Sequence, residues 1–359
     1  MVFQFIFKGG KIMRRFSMRG FLVYSLMAAL VLVLSSTAMA KTEKFGIYQK
    51  VIEADGDFAE ATASLEESIT NSDLELLGQM DITVPDDAQK ARAYILTSPS
   101  LNQAALNSNL SPDAVSVLVM RIGVYEAYGK VHINMSNLDA LANVFFDGEK
   151  NRDALMTAAS SAKKDLVQII QAVPGKVVNQ QQDPIRKAKK YRGFNGDGPA
   201  KMMAKWRDFR ESLLTAKEVE GTTSLDSIID EMKNNAASSL QADPEKGWKV
   251  VAVKKFSDNA GWIGITNTYT ELKCVNINSD FRFGDKTDNT KYPGVDHAPA
   301  LPLDLVIYKG ENGKWQIAQF GEMWRMQLYF WDSGYAAFAK NTLIPSIIFG
   351  DVEDMVKGK

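Results

Sequence analysis

Gly123–Val131, GVYEAYGKV, is the stretch on which the fold turns, because it can be taken for a phosphate-binding loop or for a β-hairpin. A phosphate loop needs four residues between its glycines, then a lysine and a hydroxyl residue, all between a strand and a helix. Five residues separate Gly123 from Gly129, and Val131 stands where the hydroxyl should be. The flanks, MRIGVYE before the turn and KVHINM after it, alternate as strands do. Backbone amides in that setting pair across a ladder and cannot cradle a phosphate. The stretch therefore reads as strand, turn, strand.

The same pattern recurs near the other end of the chain. PLDLVIYKGENGKWQI (Pro302–Ile317) sets Tyr308 opposite Tyr125, and Gly313-Lys314 opposite Gly129-Lys130 with one residue inserted. Its Asn312-Gly313 is a favoured turn dipeptide. Ser224-Leu225-Asp226 and Ile229 match Ser64-Leu65-Glu66 and Ile69 at an offset of 160. A repeat this long predicts two related domains and not a solenoid of small units.

Between these landmarks the first half reads strand (FGIYQKVIE), helix (DFAEATASLEESI), then strands LELLGQMDI and ARAYILT, the last ending at Ser98-Pro99. A short helix (SLNQAAL), the β-rich run AVSVLVMRIGVYE, the strand KVHINM and helical segments from Leu138 to Val173 follow. Gly175–Gly198 carries many breakers and reads as a linker. In the second half WKVVAVKKF and TELKCVNI read as strands, and helices including GEMWRMQLYFWDSGYAAFAKN close the chain. The expected fold class is α+β, two tandem domains, each an antiparallel sheet with helices on one face. The boundaries are a signal peptide over 1–40, a first domain over 41–174, a linker over 175–212 and a diverged second domain over 213–359.

The order of elements, the Ser98-Pro99 turn entering SLNQAAL, and the hairpin MRIGVYEAYGKVHI resemble the family catalogued as domain of unknown function 302. The resemblance covers Phe45 to Phe146 well and Leu213 to Phe330 weakly. It implies a compact α+β fold, an antiparallel sheet with helices packed on it, related in shape to the TATA-binding-protein saddle. It brings no established activity, so no catalytic residue is carried over. In that family a cysteine often stands two residues before the proline, where this chain has Thr97; the second half has Asn276-Ile277-Asn278 and no proline.

Composition sets the address. Lys8, Lys11, Arg14, Arg15 and Arg19 precede the apolar run FLVYSLMAALVLVL, which closes in SSTAMA with Ala38 and Ala40 suited to a signal peptidase. Cleavage would leave Lys41 first, in the periplasm or outside the cell. An uncleaved anchor is the competing reading, although the run is short for a span of ~20 residues. Met13 or Met18 would open a leader of more ordinary length. Without the leader, 37 basic residues face 43 acidic ones, so nucleic acid is not an expected partner. Cys274 is the only cysteine, which rules out an internal disulfide and suits a buried, inert side chain.

Candidate functional residues are few. His132 and His297 are the only histidines, and no HExxH, CxxC or CxxCH motif occurs. In KVHINM, Val131, Ile133 and Met135 share one face while Lys130, His132 and Asn134 share the other, so His132 is expected to point away from the core. Arg121, Tyr125, Lys130 and His132 in the first half, with Asp304, Tyr308, Lys314 and Gln316 in the second, form the expected ligand-binding surface. No cofactor or metal is expected. The fifteen methionines are read as core filling, with Met323, Trp324 and Met326 beside a histidine as the competing copper site. Asp280, Asp285, Asp288 and Asp296 lack calcium-loop spacing and read as a solvated insertion. The basic run Arg186, Lys187, Lys189, Lys190 and Arg192 reads as a soluble linker, with an anionic surface as the alternative contact.

MWRMQLYFWDSGYAAF is expected to be either buried between the domains or exposed to recruit a partner, and Asp332 and Ser333 interrupt it as a membrane span. The expected function is binding of a small molecule in a groove between or beneath the sheets. The alternatives are docking on an envelope protein or a second copy, and an enzyme using carboxylates such as Glu126.

Overall fold

The structure is a computed structural model, and it describes residues 44–85, 89–108, 110–182, 186–187, 211–277, 294–333, 341 and 343–359. The leader, most of the basic run, Asp280, Asp285, Asp288 and residues 334–340 lie outside the described residues.

The first half opens with β1 (Lys44–Phe45) and β2 (Tyr48–Ala54) and continues into α1 (Phe58–Thr70). Asp57 caps α1: its carboxylate accepts from the Glu60 amide at 2.9 Å, and Glu60 returns a bond to the Asp57 amide at 3.1 Å. Strands β3 (Glu75–Asp81) and β4 (Ala91–Thr97) follow, then α2 (Pro99–Leu106), with Ser98 as its cap and Pro99 in the first turn. A 3₁₀ turn (Pro112–Ala114) leads into α3 (Val115–Leu118). β5 (Met120–Ala127) and β6 (Lys130–Ser136) form the hairpin, and α4 (Leu138–Phe145) and α5 (Arg152–Gln171) complete the half.

The chain does not then become a linker: β7 (Gly175–Gln182) pairs antiparallel with β2, and β8 (Arg186–Lys187) pairs with β1. The polar run NQQQ concealed this strand because it is a sheet edge, where side chains need little apolar cover.

The second half contains β9 (Leu213–Val219), α6 (Leu225–Ala242), β10 (Lys249–Ser257), β11 (Ala260–Thr266), α7 (Thr268–Val275), a 3₁₀ segment (Val295–Ala300), β12 (Leu303–Lys309), β13 (Trp315–Phe320), α8 (Glu322–Phe330) and α9 (Ile344–Lys357). Two sequence expectations fail here. TELKCVNI is mostly helix α7, because Asn267 accepts from the Thr270 amide at 2.8 Å and starts a helix whose buried residues Thr270, Glu271, Cys274 and Val275 recur at helical spacing. The missed strand is β11, whose alternation is diluted by Gly261 and Gly264. A Cβ on Gly264 would meet the Trp262 ring at 2.6 Å and Pro302 at 2.7 Å, so the indole lies where a side chain would stand.

The two sheets run β3-β4-β5-β6-β2-β7 and β10-β11-β12-β13-β9, all pairs antiparallel. In the hairpins, Tyr125 pairs with His132 and Tyr308 with Gln316. The helices do not follow the offset of 160. Ser224 is the cap of α6, whereas Ser64 lies inside α1, whose cap is Asp57; cap to cap the spacing is 167.

Helices α1 and α5 contribute Leu65, Ile69, Leu155, Ala162 and Leu166 to the core on one face of the first sheet. Helices α6 and α9 do the same for the second sheet with Ile228, Met232, Val352 and Val356. The remaining faces meet within one compact unit, Lys44–Lys359, and the larger core runs from the first sheet into Trp262, Val306, Phe320, Trp324 and Tyr329. The described part of the aromatic C-terminal stretch, α8, is accordingly buried. Glu271 adds a polar clasp: its Oε2 accepts from the Thr83 amide at 2.9 Å and hydroxyl at 2.6 Å, while Oε1 accepts from Thr266 at 2.9 Å.

Candidate functional site

The residues expected to form a binding surface are not gathered on one. Arg121 is fully buried, Tyr125 is 2% exposed and His132 is 7% exposed. Alternation assigned His132 to the correct face of β6, but that face is covered. A Cβ on neighbouring Gly123 would lie 2.9 Å from both Ala298 and Pro299 of the 3₁₀ segment. The Tyr125 and His132 rings stand 5.3 Å apart, tilted by 38°. Burial, with the Lys50 charge next, pushes the His132 imidazole down to about 4, so it is neutral at pH 7.

Arg121 ties the halves together. Its Nη2 donates to Asp304 Oδ1 and Nη1 to the Val119 carbonyl at 3.3 Å, while Trp262 Nε1 donates to the same Asp304 oxygen at 2.7 Å. Burial alone would lower the guanidinium pKa, and the adjacent carboxylate more than reverses this, so it is raised. Arg121 precedes Tyr125 by four residues and Asp304 precedes Tyr308 by four, so equivalent hairpin positions carry opposite charges. Gln316 is buried as well, donating to Glu218 and accepting from Thr215, each at 2.9 Å. Lys130, exposed, and Lys314, half-buried, are hairpin lysines paired with Glu53 and Glu220.

A polar cluster that sequence reasoning did not assemble lies behind the same face. Asp296, expected in a solvated insertion, is fully buried, and its Oδ2 accepts from Gln182 Nε2 at 2.7 Å. Asn134 Nδ2 donates to the Asp296 carbonyl at 2.7 Å. The imidazole of His297, also fully buried, lies 3.0 Å from the Gly294 carbonyl through Nδ1 and 3.1 Å from Asp332 Oδ1 through Nε2. Tyr48 and Phe330 enclose this ring. These groups face one another and not solvent, which makes them a structural network. Among the described residues no group of three or more His, Cys, Asp or Glu side chains could hold a metal. Cys274 is buried, and burial raises its thiol pKa, which suits an inert side chain.

Of the expected residues, Tyr308 lines a recess of binding size. A cleft of about 340 Å³ separates α2 and the Leu110–Leu118 stretch from the β10–β11 turn and β12, within the size range of small-molecule sites. Leu106, Leu110, Leu118, Phe256 and Val306 supply apolar walls, and Leu106 remains 47% exposed there. Asn102, Ser111, Ser257 and Asn259 add neutral polar groups. Lys309 is the one charged residue lining the cleft among the described residues. Its ammonium sits 5.5 Å from the centre of the Trp315 ring. No periodic signal marks this site, because its walls come from within residues 102–118 and 256–309, far apart in the chain. Glu126, half-buried beside the hairpin turn, does not line it.

No family model matches the chain, and no curated protein matches it. Among solved structures the chain is similar to an uncharacterized conserved protein DUF302 from Bacillus stearothermophilus, seen in a crystal structure. The two share 20% sequence identity over 35% of this chain and 98% of that chain, with a TM-score of 0.29.

Proposed function

We propose that this is an exported protein of the cell envelope that binds a small ligand without transforming it, in the cleft beside Tyr308. The observation that carries the reading is the cleft itself: about 340 Å³, built jointly by the two halves, apolar in its walls and dotted with neutral hydrogen-bonding groups. Less favourable to catalysis is the placement of both histidines, which are buried, His297 against Asp332 and His132 against the Tyr125 ring. Docking through the aromatic C-terminal stretch has less to recommend it, since Met323, Trp324, Leu328, Tyr329 and Phe330 are buried within their own chain.

Export rests on the basic n-region, the apolar run and the Ala38–Ala40 end of the leader. No helix among the described residues is long and apolar enough to cross a membrane. The matching sheet orders and the Tyr125–His132 and Tyr308–Gln316 pairs also lead us to infer that the halves are diverged copies of one unit.

Native mass spectrometry of protein recovered from the envelope of an exporting host tests both parts. The expected spectrum starts at Lys41 and carries a small non-covalent adduct, lost in Ser111→Trp and Asn259→Trp, which fill the cleft mouth from opposite sides. An intact leader would reject cleavage after Ala40 in favour of the uncleaved anchor, and absence of the protein from the envelope would reject export. An adduct that persists in both variants would reject the cleft.

A further inference from the structure

We propose that the ligand is a small amphipathic anion, held with its apolar part between the two halves and its charged end at Lys309; this rests on the cleft being the binding site. The lining decides the class. A purely polar metabolite would leave Leu106, Leu110, Leu118, Phe256 and Val306 facing water or its polar groups, which forfeits the apolar area these walls offer. A cation would meet Lys309 and find no carboxylate to offset it, because neither Asp nor Glu lines the cleft among the described residues. A neutral apolar molecule would fit the walls but gain nothing from the ammonium. A monoanion with a hydrocarbon chain or ring satisfies both.

Lys309 is suited to that role. It is exposed, it ends β12 among the residues that line the cleft, and its ammonium lies over the Trp315 ring of the adjoining depression, within a side chain's swing of the cleft. Lys309 also lines a neighbouring depression with Lys255, Asp226, Asp258 and Trp315, so the rim beyond the cleft continues in polar groups of both charges. Of the two acids on that side, Asp226 is paired with Lys255 at 2.7 Å, and Asp258 lines the depression but not the cleft. Tyr308, one residue earlier and half-buried, sets the boundary between the apolar walls and this polar rim.

Three eight-carbon probes separate the possibilities: octanoate, octanol and octylammonium, titrated calorimetrically into the full chain as processed by an exporting host. Octanoate should bind at least about fivefold more tightly than octanol, the ratio that corresponds to ~1 kcal/mol for a rim ion pair, and octylammonium should bind most weakly. Lys309→Gln should bring octanoate down to the octanol level and leave octanol unchanged, while Lys309→Arg keeps the preference.

Equal binding of octanol and octanoate, or an unchanged octanoate affinity in Lys309→Gln, overturns the anion assignment and leaves the cleft standing. Binding of none of the three, or binding that survives both Ser111→Trp and Asn259→Trp, overturns the cleft and this inference with it.

Discussion

Replacing Arg121 by methionine tests whether the ion pair is what fastens the two sheets. Both partners are removed from water, with side-chain exposures of 0% for Arg121 and 1% for Asp304. Without the guanidinium, Asp304 keeps only the Trp262 indole N–H at 2.7 Å on Oδ1. A buried carboxylate that loses its counterion costs about 3–5 kcal/mol, whereas exchanging both partners for apolar residues is close to neutral. Set against a total stability of ~5–15 kcal/mol, the single change is severe.

Urea denaturation followed by tryptophan fluorescence measures it. With a slope of ~3 kcal/mol/M, the Arg121→Met midpoint should fall by about 1–1.7 M. Asp304→Leu alone should fall comparably, because it strands the guanidinium. Arg121→Met with Asp304→Leu should recover most of either loss, giving a coupling of at least ~2 kcal/mol. A single variant costing under ~1 kcal/mol, or a double variant costing the sum of the singles, would refute the reasoning.

Three further expectations follow from particular positions. The His132 imidazole, held at about 4 in the fold against ~6.5 in the unfolded chain, favours the native state fully above pH 6.5 and loses that contribution as pH falls towards 4. The loss between pH 7 and 4.5 should be on the order of 2 kcal/mol, and His132→Gln, which copies Gln316, should flatten that part of the stability–pH curve. Gly123→Ala should destabilise by ~1–3 kcal/mol in the same urea assay, because the new methyl would stand 2.6 Å from Asn134 Oδ1 and 2.9 Å from Ala298 and Pro299. Tyr128→Asn should raise the thermal midpoint, by a gain of ~1 kcal/mol, since Tyr128 holds φ +54° and Gly129 φ +74° in a two-residue turn that favours Asn-Gly.

Much of the local structure was legible. The segment DFAEATASLEESI and the Ser98-Pro99 turn into SLNQAAL mark α1 and α2, and the alternation of MRIGVYE and KVHINM marks the hairpin. The misread pieces are equally local in cause: β7 is polar because it is an edge, β11 is interrupted by glycines, and α7 hides its start behind an Asn cap in a β-rich composition. The matched motif at offset 160 misled because short apolar patterns recur by chance within helices, whereas caps mark where a helix begins.

By itself, the sequence determined which residues share a strand face and which tyrosines stand at equivalent hairpin positions, because strand periodicity is a property of the backbone. Only the tertiary structure decided what covers those faces. Arg121 and Asp304 meet across 183 positions, and the cleft joins walls from opposite halves. No local period records such distant contacts, so Arg121 and His132 became interior residues and Tyr308 came to border the open recess.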